Sequence, residues 1–275
     1  MSKRAKFVLV ALISGVLLWL TTLTQVDYRF GLVLAVCAVT YVLSVWVLFD
    51  DLKGIEWFTL MVLPVMFTLG SGIFSNFLPA AIPSMFGRTI AYETSLFLAS
   101  VLKIFYFILF IAGLYGVLLV ENIFSVASIK TIQLFRAARS ANFIFSLVTL
   151  LFFYAAALSL KVPFWGVWAV TFAVSFIISY VNLWSVDLKT TQYRSVLRYT
   201  LGVSWVVANV GLVLSFWPVK PFMGGLMMTS AIYALMGILE QRLTNRVYIE
   251  GLVEYSITIT VIFIIGFLTT SWVGG

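Results

Sequence analysis

Between Arg139 and Lys161 the chain reads SANFIFSLVTLLFFYAAALSL, residues 140–160, without a single charged side chain. Wound as an α-helix at 1.5 Å per residue, this run is about 31 Å long, which matches the hydrocarbon core of a bilayer. A charge at the centre of such a helix costs about 2.5–3.5 kcal/mol on insertion scales, so uncharged gaps of this length mark membrane spans. The gap recurs along the chain: from Lys6 to Asp27, Arg29 to Asp50, Glu56 to Arg88, Lys161 to Asp187, Arg198 to Lys220, Lys220 to Glu240, and after Glu254. One further span, interrupted by Lys103, is carried by Leu96, Phe97, Leu98, Phe105, Phe107, Leu109 and Phe110.

Composition agrees with this reading. Of 275 residues 63% are hydrophobic, about 173 side chains, and only 10% are charged. Nine helices of roughly 20 residues need about 180. Soluble domains carry about 25% charged residues, so a water-facing surface cannot be assembled from this sequence. The expectation is an all-α, polytopic membrane bundle forming one transmembrane domain over residues 1–275. Its helices are placed near 7–25, 30–49, 56–74, 94–120, 140–160, 164–184, 200–217, 222–239 and 255–273.

Lysine and arginine set the expected orientation. With the amino terminus inside, the cytoplasmic segments hold Lys3, Arg4, Lys6, Lys53, Lys130, Arg136, Arg139, Lys189, Arg194, Arg198, Arg242 and Arg246. The external segments hold only Arg29, Arg88, Lys161 and Lys220, and the carboxyl terminus falls outside. The net charge of +7 is thus accounted for by insertion, and no nucleic-acid partner is expected, because basic patches that track phosphates need a folded water-facing surface. The first span reads as uncleaved, for no small-residue cleavage site stands near Thr24. A multi-pass protein of the cell membrane is the resulting localisation.

Two hairpins, 140–184 and 200–239, share an outer-turn pattern. Leu158-Ser159 leads to Pro163-Phe164-Trp165-Gly166, and Leu214-Ser215 leads to Pro221-Phe222-Met223-Gly224. Internal duplication of parallel type and the ordinary chemistry of a tight hairpin both explain it. Elsewhere Pro64 falls inside the third span, where it removes a backbone hydrogen bond and predicts a kink. The external connection Ser75 to Glu93 is too apolar for a solvated loop and reads as an interfacial or re-entrant segment. Glu121 to Arg139 mixes apolar and basic residues, as in a connector helix lying in the headgroup layer.

The rare residues exclude much chemistry. Without histidine there is no His-ligated metal or haem, no Ser-His pair and no imidazole relay. The single cysteine, Cys37, sits in an apolar run and reads as a small core residue. No cofactor or metal site and no catalytic residue set is identified.

Lys103 stands well inside a span, and membrane-embedded charges are functional candidates by default. If it points inward, Arg88 and Asn76 are its natural companions in an outward-facing site for a phosphate or carboxylate; if it snorkels, it serves only the helix. Asn142, Asn182 and Asn209 read as interhelical glue, and Gly113, Gly116, Gly224 and Gly225 as close-packing points.

Among the acids, Asp27 and Glu93 are the external ones. Asp27 is similar in position to the first-loop acid of membrane-embedded glycosyltransferases that use lipid-phosphate sugars. The resemblance covers one residue, and the loop from Gln25 to Arg29 is much shorter than that family's. It implies a transferase acting at the external face. Asp50-Asp51 with Glu56 is similar to the metal-diphosphate motifs of membrane prenyltransferases, but the second acidic cluster is missing, and a helix-end cap explains these acids. The leading reading is non-enzymatic: a membrane subunit, or a carrier or binder of a lipid-like or anionic solute. The alternative is the glycosyl or lipid-phosphate transferase. Membrane lipids and another membrane protein are the partners considered.

Overall fold

Ser2 opens the bundle by accepting the Ala5 backbone N–H on its Oγ at 3.3 Å, and α1 (Lys3–Thr21) follows at once. The helix starts one turn before the uncharged gap because long lysine side chains keep their heads out of apolar surroundings. Lys6 does so by placing its Nζ 5.0 Å from the centroid of the Trp46 ring. The buried face of α1 is Phe7, Val10, Ala11, Ser14 and Leu18, the three-and-four spacing of a helix packed on one side.

The structure is a computed structural model that describes residues 2–24, 26–49, 56–82, 84–85, 88–89, 91–127, 134–160, 162–186, 193–244 and 248–270. After α1 come α2 (Val26–Leu48), α3 (Glu56–Ser75), α4 (Tyr92–Ala127), α5 (Phe135–Ser159), α6 (Phe164–Val186), α7 (Tyr193–Ser215), α8 (Pro221–Leu243) and α9 (Ile249–Thr269). Eight of the nine helices among the described residues are long and apolar enough to cross a membrane, and α3 contributes a shorter apolar run, Thr59–Ser75. The all-α polytopic expectation holds.

Two apolar cores divide the helices. Leu18, Leu60, Leu114 and Leu118 belong to the first, built mainly by α1 to α4. Tyr154, Ile178, Val207, Met228 and Ile232 belong to the second, built by α5 to α8. Leu69 and Ile73 of α3 pack against both and join them. At the edge, α9 packs on α8 and buries only Gly266 among its residues. α5 and α8 approach closely, and a Cβ on Gly225 would lie 2.8 Å from the Ala155 nitrogen. Ala155, Ala156 and Ala157 are small and buried there, so small residues on both helices permit the contact. Gly113 and Gly116 admit the rings of Phe67 and Phe145 in the same way.

The structure corrects one local expectation and adds detail to two others. The connection from Ser75 to Glu93, expected to be an interfacial or re-entrant segment, holds a turn and a short hairpin among its described residues. Asn76 to Leu78 turn, and Ser84–Met85 (β1) pairs antiparallel with Arg88–Thr89 (β2). The Ile82 N–H reaches the Ser95 carbonyl at 3.4 Å, so this hairpin is tied to the start of α4. The headgroup-layer connector is also displaced. Nothing between Val120 and Ala127 breaks a helix, so α4 continues to Ala127, and α5 already begins at Phe135. Of that connection, residues 128–133 lie outside the described residues. Finally, Pro64 lies inside α3, where the Thr68 hydroxyl donates to the Pro64 carbonyl at 2.9 Å.

Candidate functional site

A polar stripe on α8 lays out the site. Tyr233, Gly237, Glu240, Gln241 and Thr244 recur at three- and four-residue intervals, so they share one face near the end of that helix. The same end of the bundle carries the beginnings of α5 and α9, and together they enclose an open cleft of about 900 Å³. From α5 come Arg136, Arg139 and Phe143, and from α9 comes Tyr255. Gly237 leaves room for the Tyr255 ring and hydroxyl, which a Cβ at that position would have to push aside.

Charges of both signs line this space. Arg139 Nη2 forms an ion pair with Glu240 Oε1, and Arg139 Nη1 donates to the Val186 carbonyl of α6 at 3.5 Å. The pair is partly shielded, its side chains being 22% and 34% exposed. Arg136 is exposed, and its guanidinium has no hydrogen-bond or ion-pair partner among the described residues. Gln241 links the rim: its Oε1 accepts the Tyr248 N–H at 3.2 Å, and its Nε2 donates to the Tyr255 hydroxyl at 3.4 Å. The Tyr233 hydroxyl donates to Glu254 Oε1 at 3.1 Å, and the Tyr233 and Tyr255 rings meet edge to face at 5.2 Å.

Inward from the cleft, α5 and α6 share a buried polar seam. On α6, Thr171, Ser175, Ser179, Asn182 and Ser185 are all buried and fall on one face. Asn142 Nδ2 donates to Asn182 Oδ1 at 3.1 Å, and Asn182 Nδ2 donates to Ser146 Oγ at 2.8 Å. Farther along, the Tyr154 and Ser175 hydroxyls pair at 2.6 Å. Asn142 and Asn182 thus join two helices, whereas Asn209 donates to the Trp205 carbonyl of its own helix at 2.7 Å.

The other end of the molecule holds the residues that the sequence singled out. Asn76 Oδ1 accepts from Arg29 Nη1 at 3.4 Å, and Arg29 Nη2 donates to the Thr22 carbonyl, so Arg29 stitches together the ends of α1, α2 and α3. Lys103 is half-buried on α4 and makes no hydrogen bond or ion pair among the described residues. One turn beyond it, the Tyr106 hydroxyl donates to the Ser71 carbonyl at 2.7 Å, which shows that this face of α4 meets α3. Arg88 lies in β2, and its side chain is outside the described residues, as is that of Asp27 in the first turn of α2. Glu93 is exposed in the first turn of α4, ten residues and so about 15 Å from Lys103 along the axis.

Glu121 is the charged residue that sequence reasoning misplaced. It is not the start of a cytoplasmic connection but a fully buried residue of α4, and neither carboxylate oxygen has a partner among the described residues. Lys103 is therefore not the lone charge inside a span. Treating Glu121 as a helix boundary hid it; the unbroken helical pattern to Ala127 is the signal that reveals it.

Helices of this length and apolarity, stacked into two continuous cores, define a polytopic membrane protein. A family model matches residues 32–269, and the chain belongs to that family, described as protein of unknown function (DUF5656). No curated protein and no solved structure matches the chain.

Proposed function

We propose that the protein is a non-enzymatic membrane component that binds an amphipathic molecule by a phosphate-bearing head in the cleft between α5, α8 and α9. The observation that carries this reading is a cleft of about 900 Å³ whose wall presents Arg136, unpaired among the described residues, beside Arg139. Guanidinium groups suit phosphate because their fixed N–H fork can engage two oxygens at once. The cleft sits next to α9, whose apolar surface is almost wholly outward-facing, so a hydrocarbon tail has lipid within reach of the head.

Orientation belongs to the same reading. The excess of lysine and arginine at this end supports a cytoplasmic position for the cleft in a cell membrane. Reporter fusions after Lys53, Arg139, Arg198 and Arg246 are expected to give a cytoplasmic signal, and one clear external signal reverses the frame.

Binding is tested by purifying the protein with phosphatidic acid or phosphatidylcholine and measuring retained lipid by native mass spectrometry. Selective retention of phosphatidic acid, lost in Arg136→Ala combined with Arg139→Ala, is the expected result. Equal retention of the two lipids overturns the reading. An external transferase site would need Asp27, Glu93 and Lys103 to converge, and the axial distance from Glu93 to Lys103 gives that alternative no support. The outer site at Lys103, Arg88 and Asn76 has the Arg29–Asn76 bond in its favour only as a local cationic patch.

A further inference from the structure

Glu121 is the residue that packing of the bundle does not account for. Its side chain is fully buried six residues before the end of α4, and neither carboxylate oxygen meets a donor among the described residues. The next residue, Asn122, also holds a buried side-chain oxygen, Oδ1, without a partner. Buried polar side chains in native cores are nearly always hydrogen-bonded, so two such exceptions in succession call for an explanation.

The surroundings of Glu121 are apolar. Leu118 and Phe124, three residues to either side, belong to the first core together with Phe7, Leu48 and Leu60. The helices that pack chiefly on α4 are α1, α3 and α5. On α1, Lys6 lies over the Trp46 ring, while Lys3 and the exposed Arg4 stand in the first turn. On α5, Arg139 pairs with Glu240, and Arg136 is exposed. The described side chains of α3 include no charge. None of these groups bonds Glu121.

An ionised carboxylate is too costly to leave unpaired in such a place, so it must take up a cation. A hard metal ion needs several oxygen ligands at once, and no group of three metal-binding side chains occurs among the described residues. A proton needs one oxygen only. We propose that Glu121 is a proton-binding site, separate from the cleft, which holds a proton in the packed bundle and exchanges it with water at the end of α4. The O–H bond forms on a carboxylate oxygen with a proton taken from that water, and its breaking returns the proton there. Phe124 meets Phe135 of α5 at 5.7 Å, so this end of α4 lies beside the start of α5, the end at which the cleft opens. Ser125 is buried one turn nearer that end on the same face of α4, and a hydroxyl that both accepts and donates can relay a proton across the turn.

Infrared difference spectroscopy of the full-length protein in lipid nanodiscs at neutral pH is the test. Wild type minus Glu121→Gln is expected to show the C=O stretching band of a protonated carboxylic acid. In heavy water that band is expected to shift to lower frequency while the protein stays folded. Glutamine keeps the shape and neutrality of the protonated acid, so an unchanged unfolding midpoint goes with this result. If the variant fails to fold, wild type grown with carbon-13-labelled glutamate reveals the same band by its isotope shift. A carboxylate band in place of the acid band means that the group is ionised and paired, which overturns the proposal. An acid band that stays unmoved in heavy water means a sealed proton that does not exchange, which overturns it too.

Discussion

The two ends of the bundle use charge differently. At one end Arg29 spends its guanidinium on the Thr22 carbonyl and Asn76, closing the turn between three helices. At the other end Arg139 is paired across 101 residues of sequence with Glu240, Arg136 has no partner among the described residues, and the charges surround a cleft instead of filling it. A cation whose donors are used by local backbone secures a turn. One left facing an open polar volume is available to a ligand.

That contrast is most strongly tested by removing the cleft arginines. Arg136→Ala with Arg139→Ala is expected to weaken retention of an anionic phospholipid about 100-fold, since charge-assisted hydrogen bonds contribute about 1.5–3 kcal/mol each. Lys103→Met, at the other end, is expected to change it less than about twofold. Retention titrated across lipid concentration for both variants decides the matter, and equal losses erase the distinction between the ends.

Next in size is a packing effect. Gly225→Val forces side-chain atoms against the Ala155 backbone and is expected to destabilise by about 1–3 kcal/mol, read as a lower unfolding midpoint in detergent. Gly31→Val is the control, for a Cβ there meets nothing within 4 Å, and a shift below about 0.5 kcal/mol is expected.

A smaller effect sharpens the account of the cleft. Glu240→Gln releases Arg139 from its partner and is expected to raise anionic-lipid affinity about threefold. The same change costs under about 1 kcal/mol of stability, because the pair is partly exposed and screened. Paired binding and thermal-unfolding measurements separate the two consequences. Smallest of all is Asn76→Ala. It removes one long hydrogen bond, to Arg29, with an expected loss below about 0.5 kcal/mol and unchanged lipid binding.

Much of the fold is legible in the uncharged gaps, because the cost of a charge in hydrocarbon applies to each residue separately and needs no knowledge of tertiary partners. The same rule fails at Glu121, where protein rather than lipid surrounds the side chain, and it starts α5 at 140 instead of Phe135. Long basic side chains in the first turn of a span do not end it. The cleft was less legible still. Arg139, Glu240 and Tyr255 come from three helices, and only the shared level of their helix ends brings them together. The polar stripe from Tyr233 to Thr244 on α8 is the local trace that sequence does contain, and its helical spacing marks a face prepared for something other than lipid. The glycine readings succeeded for a local reason as well, since a missing Cβ permits close approach whatever the partner.

The central claim is most directly tested by a structure determined with phosphatidic acid bound. The account predicts the phosphate within hydrogen-bonding distance of Arg136 and Arg139 in the cleft between α5, α8 and α9. A phosphate ordered instead at the opposite end, beside Lys103 and Asn76, would contradict it.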